Sequence, residues 1–195
     1  MWSITPLSMK MLKILFVCTG NICRSPIAEE TFRRAVKARD LQREIQCDSA
    51  ATHAYHIGDL ADKRTRQNAE SHGITLTHRC RKLHGEDFSV FDYIVAMDDY
   101  NMENIQSISY RSTNIHQPEE VCFLYRRFDK SPSPLTPRGG IWDKQSDEEN
   151  SPSGGWGASV PDPYYGEESD FENVYQIVSR CAEEFLDYLV EKYRL

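Results

Sequence analysis

The chain has 195 residues, of which 39% are hydrophobic and 11% aromatic, and this length and composition predict one globular domain with a substantial core. Its net charge of −7 argues against a nucleic-acid-binding protein. No apolar run is long enough to span a bilayer or to serve as a secretory signal, so we predict a cytoplasmic protein without a membrane partner. The six cysteines are scattered along the chain, which favours reduced thiols over a disulfide framework.

The N-terminal part of the chain predicts a strand, a tight loop and a helix in succession. Residues 1–10 show no periodic pattern, so we predict a disordered extension there and a single domain over residues 11–195. The first strand is predicted over residues 13–17. After the loop, apolar residues at helical spacing predict a helix, with Ser25 as its N-cap and Pro26 at its first helical position.

The middle of the chain alternates strand and helix patterns. Three further strands are predicted, over residues 45–49, 92–97 and 121–125. Asp62 is predicted to cap a helix that Gly73 ends, and Asp98 or Asp99 is predicted to cap the next helix. Strands that alternate with helices predict an α/β domain with a parallel sheet.

A segment rich in Pro, Gly and Ser occupies about residues 129–160, and we predict that it is an acidic insert in the domain. Such a composition buries too little surface to fold independently. The segment is either a solvated loop without functional consequence or a modulator of access to a functional site. Trp142 and Trp156 argue for the second alternative, because a purely solvated linker does not need tryptophan. After the insert, the pattern Ser169-Asp-Phe-Glu172 predicts a capping box at the start of a long C-terminal helix.

The loop after the first strand combines a potential nucleophile with a phosphate-shaped cation. A helix N-terminus presents unpaired N–H groups and partial positive charge, which bind a phosphate dianion and favour a thiolate at Cys18. The planar guanidinium of Arg24 can grip two phosphate oxygens. Gly20 and Asn21 tolerate the left-handed conformations that a tight loop needs, and the Ser25 hydroxyl can hydrogen-bond the sulfur.

The alternative is that Cys18 is only a small buried hydrophobe at the end of a strand. No other cysteine has an arginine six residues later. The residues at that position are Glu29, His53, Glu86, Phe128 and Asp187. The strand before the loop, Gly-Asn within it and Ser after it are independent requirements of a phosphate loop, so we favour the nucleophile.

With this loop the chain resembles the low molecular weight protein tyrosine phosphatases, whose signature is matched by residues 18–25. The resemblance implies a single flavodoxin-like domain, with a four-stranded parallel sheet and helices on both faces. It implies hydrolysis of phosphotyrosine proteins and aryl phosphates through a cysteinyl phosphate, without metal or cofactor. It also implies a general acid, matched by Asp162 between Pro161 and Pro163, although Pro-Asp-Pro by itself indicates only a turn.

The resemblance assigns roles to further residues. Those expected to contact the phosphate or the substrate are Thr19, Gly20, Asn21, Ile22, Cys23, Ser25, Tyr55, Tyr164 and Tyr165. Ser49 and His78 match residues that hold the loop asparagine in its strained conformation. Cys23 is either a packing thiol or a trap that forms a disulfide with oxidised Cys18, and the resemblance favours the trap.

Other functions remain open at this stage: an arsenate reductase, an arginine phosphatase on the same fold, and a non-catalytic phosphotyrosine-binding protein. An arsenate reductase needs a close pair of resolving cysteines, and Cys80 has no cysteine near it in sequence. Arginine phosphatases of the family tend to carry Thr where this chain has Ile22, and an apolar residue there suits a phenyl ring. A binding protein is expected to have lost a catalytic position, and the chain has lost none.

Overall fold

The computed structural model describes residues 11–130 and 159–195. The strands and helices in chain order are β1 (Leu12–Cys18), α1 (Arg24–Ala38), β2 (Ile45–Ala51), α2 (Lys63–Ser71), α3 (Asp87–Val90), β3 (Tyr93–Ala96), α4 (Asp99–Thr113), β4 (Cys122–Leu124) and α5 (Glu168–Tyr193). A short 3-10 helix, Tyr125–Phe128, follows β4. All four strands are parallel, in the order β2-β1-β3-β4, which confirms the predicted sheet.

Strand β1 is buried on both faces because helices cover both sides of the sheet. Ile14 and Phe16 belong to the larger hydrophobic cluster, which also contains residues of α1 and α5. Leu15 and Val17 point the other way, into a cluster that includes Ile105 of α4. Alternate residues of a strand face opposite sides of the sheet, so the continuous apolar run of β1 is explained by this double burial. The predicted helices on both faces are therefore confirmed.

The carboxyl ends of the central strands meet at one edge of the sheet. Cys18 at the end of β1 pairs with Ala51 at the end of β2, and Val17 pairs with Ala96 at the end of β3. The loops that follow these strands therefore converge, which is where open α/β sheets bind ligands.

The first helix begins earlier than its sequence pattern predicts. Helix α1 starts at Arg24 with Cys23 at the N-cap position, and no side chain caps it. The prediction that Ser25 is the cap is wrong, because its hydroxyl lies 3.1 Å from Cys18 Sγ inside the loop. Pro26 therefore takes the third helical position, where its missing N–H would in any case have no partner in the helix.

The capping box of α5 lies two residues before the predicted one. Glu167 is the N-cap, and its backbone N–H donates to Asp170 Oδ2 at 2.7 Å, while the Glu167 side chain accepts from the backbone N–H of Asp170. The predicted pair, Ser169 and Glu172, is therefore wrong. Two pairs with the same spacing, Glu167/Asp170 and Ser169/Glu172, overlap in this sequence. The sequence pattern favours the second pair because serine, unlike glutamate, is a favoured N-cap residue.

The other predicted helix caps are confirmed. Asp62 accepts the Arg64 N–H at 2.8 Å at the start of α2, and Gly73 after that helix has a φ of 70°. Asp98 accepts the Asn101 N–H at 2.6 Å at the start of α4. Helix α3 and the 3-10 helix were not predicted, because four residues are too few to show a periodicity.

The predicted extension at residues 1–10 and residues 131–158 of the predicted insert lie outside the described residues. The chain on either side of residues 131–158 is contacted by the guanidinium of Arg126. Arg126 donates through Nε to Asp129 Oδ2 at 3.2 Å and through Nη1 to the Ser159 carbonyl at 3.2 Å. Asp129 also accepts from Arg180 Nε of α5 at 3.0 Å.

None of the helices in the described ranges combines the length and the apolar character that a membrane crossing requires.

Candidate active site

The loop between β1 and α1 surrounds the sulfur of Cys18 with hydrogen-bond donors. The Asn21 N–H donates to Cys18 Sγ at 3.2 Å, and Ser25 Oγ lies 3.1 Å from the same atom. Ser25 Oγ also accepts from Asn21 Nδ2 at 2.9 Å, which leaves the hydroxyl proton free for the sulfur. A backbone amide and a hydroxyl are thus placed to stabilise negative charge on Cys18.

Asn21 holds the loop to the rest of the domain. Its φ of 53° is left-handed, and all the hydrogen-bonding capacity of its side chain is used. Besides its bond to Ser25, Nδ2 donates to Ser49 Oγ at 2.8 Å. Oδ1 faces His78 Nε2 at 2.9 Å and accepts the Arg81 N–H at 3.1 Å. The structure thus brings Ser49 and His78, assigned by resemblance, into contact with the loop asparagine.

Two carboxylates fix the ring of His78 from its other side. His78 Nδ1 lies 3.3 Å from Glu29 Oε2 and 3.6 Å from Asp48 Oδ1. The three residues place possible metal-ligand atoms within 4.8 Å of one another. Glu29 is paired with Arg33, and Asp48 with Arg81, so each carboxylate already has a cation. No local pattern points to Glu29, which lies on α1 five residues after Arg24.

Arg24 is 2% exposed and is held by residues from three parts of the chain. It forms ion pairs with Asp98 and with Asp162, the latter through Nη2 to Oδ2 at 2.7 Å. Nη1 donates to the Val160 carbonyl at 3.3 Å, and Nη2 lies 3.5 Å from Thr19 Oγ1. Burial alone lowers the pKa of Arg24, but the two carboxylates raise it above its ordinary value. Sequence reasoning assigned Asp98 only as a helix cap.

Asp162 lies directly against the phosphate loop. Its carboxylate is 49% exposed, and Oδ1 accepts the Tyr164 N–H at 3.2 Å while Oδ2 contacts Arg24. The segment before it is fixed by the Val160 N–H, which donates to the Met97 carbonyl at 2.7 Å. The predicted acid and the predicted phosphate clamp are therefore in contact.

A second thiol also contacts this loop, and the sequence pattern did not predict that contact. Cys80 Sγ donates to the Gly20 carbonyl at 3.1 Å. Burial raises the pKa of the Cys80 thiol to about 11 and that of Cys23 to about 12. Both cysteines share a hydrophobic cluster with Ile22, which is 8% exposed and offers little surface to a substrate ring. Cys80 is distant from Gly20 in sequence, so only the fold reveals the contact.

Aromatic side chains lie on the loops at the same edge of the sheet. Tyr164 and Tyr165 follow Asp162 and contact each other edge-to-face, with centroids 4.9 Å apart. Tyr55, in the loop after β2, stacks on His53. All three tyrosines are exposed, as residues that line a cleft must be.

The fold and the loop together define a class of protein: an α/β domain with an anion-binding loop between its first strand and helix, and a cysteine at the start of that loop. Residues 13–120 match the family model of the low molecular weight phosphotyrosine protein phosphatases. The human enzyme of that name is 36% identical over 174 residues, which cover 89% of this chain and 93% of the human one. The chain belongs to this family, as the resemblance of its loop predicted.

Solved structures agree with this assignment. A protein tyrosine phosphatase from Entamoeba histolytica is 32% identical, with a TM-score of 0.72 over 94% of this chain and 99% of that one. A Drosophila arginine phosphatase is 26% identical, with a TM-score of 0.72 over 91% of this chain and 98% of that one. Neighbours of the same fold thus include enzymes named for two different phosphorylated residues.

Proposed function

We propose that the protein hydrolyses phosphotyrosine in proteins, and aryl phosphates, through a cysteinyl-phosphate intermediate. The observation that carries this proposal is the convergence of three side chains. The sulfur of Cys18 is bounded by hydrogen-bond donors, Arg24 lies at the same loop, and Asp162 contacts Arg24 at 2.7 Å. Nucleophile, clamp and acid are the parts that this chemistry needs.

In the first step the Cys18 thiolate attacks phosphorus and the bond to the phenolic oxygen breaks. Arg24 holds two of the equatorial oxygens, and the amides of the loop bind the remaining charge. Asp162, in its protonated form, gives its proton to the leaving phenolate. The substrate dianion takes the place of the Asp162 carboxylate on Arg24, which frees this side chain to act as the acid.

In the second step Asp162 accepts a proton from water, whose oxygen attacks the phosphocysteine. The S–P bond breaks, inorganic phosphate forms, and Cys18 leaves as a thiolate. The Asn21 N–H and the Ser25 hydroxyl stabilise that thiolate at the contacts they already make. Protein groups fill every role in this scheme, so we expect activity in the presence of a chelator.

Phosphotyrosine proteins are the proposed substrates. In this proposal Tyr55, Tyr164 and Tyr165 flank the phenyl ring, and the remaining loop residues, Thr19, Gly20, Ile22 and Cys23, form the phosphate cradle. A reducing cytoplasm is the proposed location, supported by the six cysteines, all of which are free thiols.

We expect Cys18→Ser to abolish hydrolysis of p-nitrophenyl phosphate and of a phosphotyrosine peptide, both assayed with EDTA. Asp162→Ala should lower kcat by about 100-fold or more, because general acid–base catalysis contributes on that scale. Cys47→Ser, at a half-buried thiol away from the loop, is the matched control and should keep the parent rate. Full activity of Cys18→Ser, or loss of activity with EDTA, would contradict the mechanism, and faster turnover of a phosphoarginine peptide or of arsenate would favour the rival functions.

A redox role for Cys23 is the second part of the proposal. Peroxide converts Cys18 to a sulfenic acid, and the Cys23 thiol then displaces water to form a disulfide. Burial raises the pKa of Cys23 to about 12, so its thiol is protonated at neutral pH and must lose its proton in this step. We expect peroxide-treated Cys23→Ser to recover less activity with dithiothreitol than the parent does. Equal recovery would exclude the protective role.

A further inference from the structure

Three aromatic rings form a stack beside the phosphate loop, on the side of β2 and β3. The His53 ring lies against both Tyr55 and Tyr100, with centroid distances of 5.4 and 5.8 Å and planes within 11° and 14° of parallel. We call Tyr55, His53 and Tyr100 the aromatic ledge. Tyr55 is 73% exposed and Tyr100 is 54% exposed, so the ledge presents ring surface to solvent.

The ledge is fixed to the phosphate loop from two elements. The His53 N–H donates to the Thr19 carbonyl at 3.0 Å. Asn101, the neighbour of Tyr100 on α4, donates through Nδ2 to Thr19 Oγ1 at 3.0 Å. A ligand on the ledge is therefore held at a constant distance from a phosphate in the loop.

Hydrogen bonds also set the orientation of the central ring. His53 Nδ1 lies 2.9 Å from Thr52 Oγ1, and His53 Nε2 lies 3.4 Å from the Tyr100 hydroxyl. Since both ring nitrogens have partners, the orientation of the His53 ring is fixed relative to Thr52 and Tyr100. The ledge is thus a pre-ordered surface, which lowers the entropy cost of binding.

The ledge contributes little to the core and extends further than one substrate ring requires. Exposed rings gain little from burial, and exposed apolar surface beside a site marks a binding region. The family resemblance assigns Tyr55 to the wall against the phosphotyrosine ring, so His53 and Tyr100 are left for another group. Successive residues of an extended peptide lie about 3.3–3.6 Å apart. His53 and Asn101 both contact Thr19 of the loop, so we expect a neighbour of the phosphotyrosine to come within reach of the ledge.

We propose that the aromatic ledge binds a large apolar side chain, preferably aromatic, that flanks the phosphotyrosine of the substrate. His53 and Tyr100 are then specificity-determining residues of this chain. This inference rests on the proposed phosphatase function and adds the sequence preference of its substrates.

The test compares phosphotyrosine peptides that carry Phe, Ala, Asp or Arg at each position next to the phosphotyrosine. We expect the parent to prefer Phe over Ala at one position by about 3- to 10-fold in kcat/KM, as stacked aromatic pairs contribute on that scale. Tyr100→Ala should bring this ratio close to one, whereas Tyr100→Phe, which keeps the ring, should preserve most of it. A ratio of two substrates is insensitive to a general loss of activity.

Tyr110→Ala is the matched control. Tyr110 stacks on His116, with centroids 4.8 Å apart, on the same helix as Tyr100 but roughly 15 Å further along it. It should keep the parent ratio. An unchanged ratio in Tyr100→Ala, or a parent without a Phe preference, would overturn the proposal. A parent inactive on p-nitrophenyl phosphate would refute the phosphatase function instead, so the two failures are distinguishable.

Discussion

The peptide group between Gly20 and Asn21 joins two thiols through a chain of hydrogen bonds. Its carbonyl accepts from Cys80 Sγ at 3.1 Å, and its N–H donates to Cys18 Sγ at 3.2 Å. A hydrogen bond to a carbonyl polarises the peptide and strengthens its N–H as a donor. We therefore infer that Cys80 acts on Cys18 indirectly, by positioning and polarising the peptide whose N–H donates to Cys18 Sγ.

We expect Cys80→Ala to slow the alkylation of Cys18 by iodoacetate at about pH 6, by roughly 2- to 5-fold, because the Asn21 N–H then supports the thiolate less well. Cys80→Ser, which keeps a donor, should restore the rate. Burial raises the pKa of Cys23, Cys47, Cys80, Cys122 and Cys181 to about 11 or 12, so mass spectrometry should find the label on Cys18 alone.

Cys122→Ala is the control for lost packing, because this buried thiol lies on β4 and contacts Met102, away from the loop. It should leave the alkylation rate of Cys18 unchanged. If Cys122→Ala slows the reaction as much as Cys80→Ala does, the effect comes from the fold and the hydrogen-bond chain has no role.

At the scale of elements, α2 is attached to α5 by a polar cluster beside the segment that carries Asp162. The Glu172 carboxylate is contacted by Asn68 Nδ2 and His72 Nε2 of the α2 region, each at 2.7 Å, and by Gln176 Nε2 at 2.7 Å. The His72 ring also stacks on Tyr175, with centroids 3.6 Å apart. Burial alone would raise the pKa of Glu172, but the three hydrogen bonds hold it at about 2.

We expect Glu172→Gln to lower the stability of the fold at neutral pH by about 0.2–1 kcal/mol, a modest value because the site is partly exposed. The pKa of Glu172 is depressed on folding, so its contribution is complete above the unfolded value near 4.5 and disappears as the pH falls towards about 2. Thermal unfolding of parent and variant should therefore converge over this range.

The exposed residue Glu191, near the end of α5, provides the comparison for that experiment. Glu191→Gln, at an exposed side chain, should leave the thermal stability close to that of the parent. A constant difference between Glu172→Gln and the parent over the same range would show that the carboxylate charge does not stabilise the contact.

Contiguous patterns made the strand, loop and helix around Cys18 predictable, whereas helix starts depended on contacts beyond the local sequence. Serine is a favoured N-cap residue, but the hydroxyl of Ser25 contacts the sulfur of Cys18 instead of capping the helix. Asp98 caps α4 as predicted, yet its ion pair with Arg24 depends on the pairing of β1 with β3. Cys80 likewise reaches the loop only through the fold, so no local pattern could assign it.

At the scale of the whole molecule, the insert predicted at about 129–160 remains the main departure from the family pattern. It joins the described chain at Ser159, one residue before Val160, whose carbonyl accepts from Arg24. A change in the position of this end of the segment would therefore act close to Arg24.

We expect a chain in which residues 131–158 are replaced by a short Gly-Ser linker to fold with a similar Tm, because loop length changes the closure entropy only slowly. Its kcat/KM should change for a phosphotyrosine peptide more than for p-nitrophenyl phosphate, which needs less access. Unchanged kinetics on both substrates would show that the insert does not modulate the site.

Arg126 contacts both Asp129 and Ser159, and these contacts also recommend this point of the fold for the insertion of a second domain. Both residues are contacted by the same guanidinium, which ties together the two ends of the described chain at this point. Domain insertions are tolerated best at exposed connections of small and polar residues, and the sequence between these two residues is rich in Pro, Gly and Ser. We expect a reporter domain inserted between them to leave the contact of Asp162 with Arg24 intact.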